Sequence, residues 1–452
     1  MDNQQNRFSR HRSEGDSNLT LGRRVWIEQA LDAETLRWLE EDERYFIRQS
    51  LSTPCLNVLR AADALYLEDL RGRRYMDFHG NSVHQVGFAN PRVLAAIEEQ
   101  MKTLPFCPRR YTNLPAIRLA QKLARLAPGN LNKVLFAPGG ATVVGMALQL
   151  ARVATGRFKT VSLWDSFHGA SLDAMSVGGE ALFRHDIGPL LPGTEHAPPP
   201  DPSRCPWECG KECNLRCAHY IEYILEKEGD VGAVIAETVR STPVIPPAGY
   251  WEAVRAACDK HGALLILDEI ANGLGRTGRM FTCERYGVVP DMLVIGKGLG
   301  GGIFPLAALI AREDLDIVPD RALGHYTHEK NPVACAAALA ALEHIEEENL
   351  IENARRVGNY ALERMRQMMS EHELVAEVRG LGLLLGLVLE KDGKPAVDAA
   401  EQVLYGALAK GLSFKVSMGN VLTLTPPLTV SKEDMERALG ILSDCLAEAA
   451  QG

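Results

Sequence analysis

Two apolar runs close on residues that do not belong in a core. LLILDE at 264–269 reaches Asp268 just before the glycine-rich turn NGLGRTG, and DMLVIGKG at 291–298 reaches Lys297 between two glycines. A carboxylate at the end of a buried strand is costly without a cationic partner. The plain structural account of Asp268 is therefore an ion pair with Arg276 or Arg279. A lysine after an apolar strand has no comparable everyday role. Burial of an amine favours its neutral form, and flanking glycines let a ligand come close, so the position suits Schiff-base and proton-transfer chemistry. A third element precedes both. Gly139-Gly140-Ala141-Thr142 joins the run KVLF to the helical pattern VVGMALQLAR, and backbone N–H groups at such a helix start favour an anion. A phosphate nest, an acid for a ring nitrogen and an amine for an aldehyde are together the contacts that pyridoxal phosphate requires.

These residues need a scaffold that brings distant strand ends together. KVLF at 133–136, TVSL at 160–163, AVIAE at 233–237, LLILDE, DMLVIGKG and AALIA at 307–311 alternate with helical patterns. Such alternation predicts a largely parallel sheet with helices on both faces, and ligands of such sheets sit at the carboxyl ends of the strands. One of the helical patterns is GYWEAVRAACDKHG, where Trp251, Val254, Ala257 and Cys258 share a face before the Gly262 stop. Another runs from Asn331 to about Asn349, with Pro332 tolerated in the first turn. Beyond Leu350 short strands (VRGLGLLLGLVLE, VLTLT) lie between helices, and Ser431 with Asp434 starts the last one as a capping box. The expected division is 1–90 as a segment contributing to a small lobe, 91–340 as a large cofactor domain and 341–452 as a small α+β domain.

With 452 residues, 46% hydrophobic and 24% charged, the composition is globular. A net charge of -9 argues against nucleic acid as a partner. No run is long and apolar enough for a membrane span, and the polar start MDNQQNRFSRHRSEGDSN lacks an apolar signal core, so a cytoplasmic location is expected. Cys205, Cys209, Cys213 and Cys217 recur at every fourth residue and would share one face if helical. Four sulfurs can hold zinc, but the usual spacing is two CxxC pairs and no step of the chemistry needs a metal, so reduced or paired structural cysteines are expected rather than a metal site.

The ordered motifs YLEDLRGRRYMDF at 66–78, FHG at 167–169, DEIANGLGRTG at 268–278, GKGLGGGIFPLAA at 296–308, YTHEKNPVACAAALA at 326–340, VRGLGLLLGL at 378–387 and PPLTV at 426–430 resemble the class III aminotransferases. The likeness runs from about Tyr66 to the C-terminus. It implies a fold type I α/β architecture, with a mostly parallel seven-stranded sheet in the large domain. It further implies that Lys297 holds pyridoxal 5′-phosphate as a Schiff base and that Asp268 pairs with the ring nitrogen. Phe167 would stack on the ring, Gly140 and Ala141 would meet the phosphate, and His168 and Glu237 would line the pocket. Thr327 matches a threonine that reaches the phosphate of the neighbouring subunit, which implies a homodimer.

The sequence also departs from the family pattern. The phosphate turn, commonly SGSEAN, reads GGATVV, and Ala271 stands where glutamine is usual. Thr423 replaces the arginine that clamps a substrate α-carboxylate, so a planar bidentate site is missing. Arg109, Arg110, Arg240 and Lys415 are the bases available for an anionic tail elsewhere on the substrate. The wording of WDSFHGASLDAMSVGGEALFRHDIGPLLPGTEHAPPP, HGNSVHQVGF, GHYTHEKNP and FKVSMGNVLTLTPPL is similar to the family's ammonia-lyase branch, which acts on (R)-1-hydroxy-2-aminoethylphosphonate. The expected substrate is a small anionic amine of the aminophosphonate class. The alternative within the family is a transaminase acting on 2-aminoethylphosphonate or an ω-amine.

Overall fold

The protein is described here by a computed structural model covering residues 20–49, 52–209 and 213–451. The polar N-terminal stretch noted above lies outside the described residues, save for its neighbours from Thr20 onward. Contacts divide the chain into two units. One contains Asn81–Val86 and Asn90–Glu352; the other contains the described residues up to Gly80, Gly87–Ala89 and the chain from Asn353 onward.

The first unit is built on one seven-stranded sheet. Its strands are β1 (Leu131–Ala137), β2 (Lys159–Leu163), β3 (Thr194–Ala197), β4 (Val231–Glu237), β5 (Leu264–Asp268), β6 (Met292–Ile295) and β7 (Ala307–Arg312), in the spatial order β1-β7-β6-β5-β4-β2-β3. All neighbours pair in parallel except β7, which runs antiparallel to both β1 and β6. β3 carries no apolar run of its own in the sequence; it is TEHA at the sheet edge. Helix α1 (Gly140–Thr155) packs Val143, Val144, Ala147 and Ala151 against Ile235, Ile266, Val294 and Leu309 of β4, β5, β6 and β7. Each of these aliphatic side chains is essentially fully buried and stabilises the fold by about 1.5–3 kcal/mol for the larger ones.

Helix α2 (Arg216–Glu228) is an element that the sequence patterns above do not mark, whereas α3 (Tyr250–His261) and α4 (Pro332–Glu347) follow the expected signals. α3 buries Trp251, Val254, Ala257 and Cys258 and stops at left-handed Gly262, while Asn331 caps α4 by accepting from the Ala334 N–H. The cysteine segment does not form the helical face considered above. Cys205 follows a short turn at Pro202–Arg204, Cys209 and Cys213 lie outside regular structure, and α2 starts only at Arg216, so Cys217 alone is helical. Pro206, at the second position of this run, denies a helix its N–H there, which is one physical reason.

The second unit has its own sheets. Val375–Leu381, Leu384–Lys391, Val421–Leu424 and Lys415–Ser417 lie side by side, antiparallel throughout. The closing helix Lys432–Ala449 begins with Ser431 accepting from the Asp434 N–H. Among the described residues, no helix is long and apolar enough to cross a membrane.

Candidate active site

Parallel pairing places the chemistry. Glu237 and Asp268 are registered partners at the ends of β4 and β5, and Lys297 follows β6, the next strand over. Three groups from separate sequence segments therefore meet at the carboxyl edge of one sheet, as expected for α/β sites.

Asp268 is buried, and its partner is not an arginine. Its Oδ2 lies 2.7 Å from His168 Nδ1, and its Oδ1 accepts from the Ile270 N–H at 3.0 Å. The expected ion pair with Arg276 or Arg279 is thus replaced by a histidine contact across a hundred residues of sequence. Arg276 itself is fully buried, and burial pushes its guanidinium down to about 9. His168 Nε2 is buried and has no protein hydrogen-bond partner. A buried unsatisfied nitrogen is costly, and at this edge it marks room for a ligand.

Lys297 adopts a left-handed backbone with φ 46°. That conformation is uncommon for a residue with a Cβ, costs on the order of 1–3 kcal/mol and concentrates at functional sites. The following Gly298 is required by close packing: a Cβ there would collide with the Gln85 amide, whose Oε1 is buried without a partner. Gln85 was named in no role from the sequence. Its signal was only its place in HGNSVHQVGF.

The start of α1 is the candidate phosphate cradle. Gly139 precedes it in extended conformation, no side chain caps the helix, and the leading residues Gly140 and Ala141 are only partly buried. The first N–H groups of a helix have no partners within it and carry the positive end of its dipole. Gly169 of the FHG motif sits against this turn. A Cβ at its φ of 132° would come within 2.6 Å of the Ala141 Cβ, so only glycine allows the approach. Orphaned His168, the uncapped α1 start and the Lys297 loop together match the three parts of pyridoxal phosphate: ring, phosphate and aldehyde.

Phe167 and Glu237 are joined, since the Phe167 N–H donates to Glu237 Oε2 at 3.2 Å. The Phe167 ring lies 4.5 Å from that of Phe183. Arg240 is buried beside them, with its Nη2 2.9 Å from Glu180 Oε2 and its Nε 4.0 Å from Glu237 Oε2. The Thr327 loop is tied to the segment bearing Arg109. Arg109 Nε pairs with Glu329 at 3.1 Å, Asn113 donates to the Lys330 carbonyl at 3.0 Å, and Phe106 meets His328 edge-on at 5.4 Å. Thr327 and Arg110 are exposed.

Glu269, next to Asp268, faces inward and accepts from Thr238 Oγ1 at 2.9 Å, the Thr282 N–H at 2.6 Å and the Cys283 N–H at 2.7 Å. It is the structural member of the Asp-Glu pair. Burial outweighs these hydrogen bonds and pushes its carboxyl up to about 7.

In the second unit Thr423 is buried and donates to Ser417 Oγ at 3.0 Å. Its directly opposed partner on the neighbouring antiparallel strand is Lys415. Opposed residues project from the same face with Cβ atoms about 4.5–5.5 Å apart, so a base stands next to the position where the family pattern has arginine.

A family model described as aminotransferase class-III matches residues 47–446. The (R)-1-hydroxy-2-aminoethylphosphonate ammonia-lyase of Vibrio splendidus is 47% identical over 459 residues, covering 97% of this chain and 96% of that protein. The leucine/methionine racemase of Thermococcus litoralis is 36% identical over 92% of this chain and 96% of its own length. Among solved structures, a transaminase from the marine bacterium Virgibacillus superposes with a TM-score of 0.86 at 26% identity, covering 92% of this chain and 99% of that one.

Proposed function

The chain belongs to the class III aminotransferase family of pyridoxal-phosphate enzymes, and from that premise we propose that it is an ammonia-lyase acting on (R)-1-hydroxy-2-aminoethylphosphonate. The observation that carries this reading is Thr423. A buried threonine satisfied by Ser417, with Lys415 opposite, replaces a carboxylate clamp while the lysine and aspartate of the chemistry remain. The likeness to the Vibrio splendidus (R)-1-hydroxy-2-aminoethylphosphonate ammonia-lyase supports the same substrate.

When bound, pyridoxal phosphate supplies an aldehyde for the substrate amine and a ring that takes up the electron pair left by C–H cleavage. In this reading the Lys297 amine removes the proton from the amine-bearing carbon. Asp268 holds a proton at the ring nitrogen, and the 2.7 Å contact with His168 Nδ1 orients its carboxylate. Gly140 and Ala141 present backbone N–H groups to the phosphate, Phe167 covers the ring, and Glu237 anchors Phe167 through its main-chain N–H. Loss of hydroxide from the neighbouring carbon then yields an enamine, which hydrolyses to phosphonoacetaldehyde and ammonia. Arg109, Arg110, Arg240 and Lys415 are the bases assigned to the phosphonate. We further assign 91–340 as the cofactor domain, with 1–90 and 341–452 forming the smaller lobe, and a cytoplasmic homodimer in which exposed Thr327 serves the neighbouring site.

The second reading is a transaminase acting on 2-aminoethylphosphonate or an ω-amine, favoured by the transaminase structures that superpose well, among them an (S)-enantioselective omega-transaminase from Thermomicrobium roseum at a TM-score of 0.84. The two are separated by incubating the holoenzyme with (R)-1-hydroxy-2-aminoethylphosphonate in the absence of any keto acid. Release of ammonia supports the lyase. No ammonia, together with nitrogen transfer from 2-aminoethylphosphonate to pyruvate, replaces it with the transaminase.

A further inference from the structure

Pyridoxal phosphate carries four polar groups, and the reading above assigns partners to three: Asp268 to the ring nitrogen, the start of α1 to the phosphate and Lys297 to the aldehyde. The fourth is the phenolic oxygen, on the ring carbon beside the one that bears the aldehyde. It therefore lies at the Lys297 end of the ring. The ring nitrogen is para to the aldehyde, at the opposite end. His168, with its orphaned Nε2, belongs to that far end, because its Nδ1 is 2.7 Å from Asp268 Oδ2.

A charged phenolic oxygen accepts hydrogen bonds, so its partner must be a donor. The turn after Asp268 brings little: Ile270 and Ala271 are apolar, and the Asn272 amide nitrogen is engaged by the Val239 carbonyl at 2.6 Å. On the Lys297 side stands Gln85. It is 1% exposed, and its Oε1 is buried with no hydrogen-bond partner among the described residues. A Cβ on Gly298 would fall 1.8 Å from Gln85 Oε1, 2.2 Å from Cδ and 2.6 Å from Nε2, so the whole amide lies on the residue that follows Lys297. The backbone fixes it there. Asn90 Nδ2 donates to the Val86 carbonyl at 3.0 Å while Asn90 Oδ1 caps the helix Pro91–Thr103, and the Val83 carbonyl lies 3.3 Å from where a Gly302 Cβ would stand. Residues 83–86 thus run along the 298–302 loop. A buried amide atom without a partner costs stability, and a half-turn of the last side-chain torsion exchanges its oxygen for its nitrogen.

We propose that Gln85 is a cofactor ligand whose Nε2 donates to the phenolic oxygen of pyridoxal phosphate held at Lys297. The assignment rests on Lys297 as the cofactor lysine and is independent of which amine is the substrate. Its consequence is electrostatic. A proton on the nitrogen joining Lys297 to the cofactor is favoured by negative charge on the neighbouring phenolic oxygen, and a donor from Gln85 stabilises that charge once the proton has left. With Gln85 in place the nitrogen therefore loses its proton at a lower pH.

The test is a pH titration of the visible absorbance of the holoenzyme in wild type, Gln85→Leu and Gln85→Met, side chains of similar size that cannot donate. Midpoints in both variants should lie about one to two units above wild type, the shift that losing one hydrogen bond to a charged atom produces. A purely packing role would change the unfolding midpoint and cofactor content without moving the titration. The proposal is overturned if a variant that retains cofactor titrates at the wild-type midpoint. It is also overturned, with no variant needed, if wild-type apoenzyme binds pyridoxal phosphate and the analogue lacking the phenolic oxygen equally tightly. If instead Lys297→Ala keeps the titrating band, the cofactor-lysine reading itself fails; a failure confined to Gln85 leaves that reading intact.

Discussion

The carboxyl edge of the large sheet and the strand pair bearing Lys415 and Thr423 differ in what is buried beside charge. At the sheet edge Asp268 is held by His168, Glu269 by two N–H groups and a hydroxyl, and Arg240 by Glu180. On the strand pair a neutral threonine is satisfied by a serine, and the base sits opposite it, half-buried. The first arrangement preserves geometry for one kind of bond breaking. In the proposed reading the second is where the accepted anion is selected, and sites grafted on one scaffold in this way let a family serve several reactions.

The largest expected effect lies at the sheet edge. Lys297→Ala should abolish turnover and the absorbance of lysine-bound cofactor while circular dichroism stays native; activity near wild type would remove Lys297 from the chemistry. Asp268→Asn should lower kcat on the order of a thousandfold, equivalent to about 4 kcal/mol, with cofactor retained, as steady-state kinetics would show.

Arg240 and Lys415 sharpen the contrast. Arg240→Ala withdraws a guanidinium from a buried carboxylate, so it should cost about 3–5 kcal/mol in urea unfolding whatever it does to kinetics. Lys415 is half-buried, so Lys415→Ala should cost less in unfolding than Arg240→Ala, and it should reduce kcat/KM by about 1.5–3 kcal/mol of transition-state binding for the phosphonate substrate. Equal unfolding losses in both variants would erase the distinction between a fully buried ion pair and a half-buried base.

The smallest effect is a pH slope. The folded protein binds a proton at Glu269 more tightly than the unfolded chain, because its carboxyl is raised from 4.5 to about 7. Its stabilising contribution is therefore complete below about 4.5 and lost as pH climbs through about 7. Glu269→Gln should flatten the stability curve in that window and lower it by about 1–3 kcal/mol, since the amide NH2 must face a former donor. An unchanged slope would show that Glu269 stays ionised.

Much of this was legible in order along the chain. The six strand runs, the Gly262 stop, the helix begun around Pro332, the Ser431 cap and the cofactor follow from hydrophobic period, capping chemistry and motif order, because those signals are local. β3 was not, since TEHA at a sheet edge carries no apolar run. The helical face imagined for the cysteines also failed, because Pro206 and the turn closed by the Glu208 N–H on the Cys205 carbonyl break the run.

The sequence by itself determined what each key residue needed: an anion-tolerant site for Asp268, glycine company for Lys297, an uncapped helix start after Gly139. Only the tertiary structure decided who met that need. His168 rather than Arg276 reached Asp268, and Glu180 reached Arg240 across sixty residues. Lys415 came to stand opposite Thr423. The physical reason is that strand register and crossover connections choose partners, and these are set by packing whole elements against one core rather than by the residues they bring together.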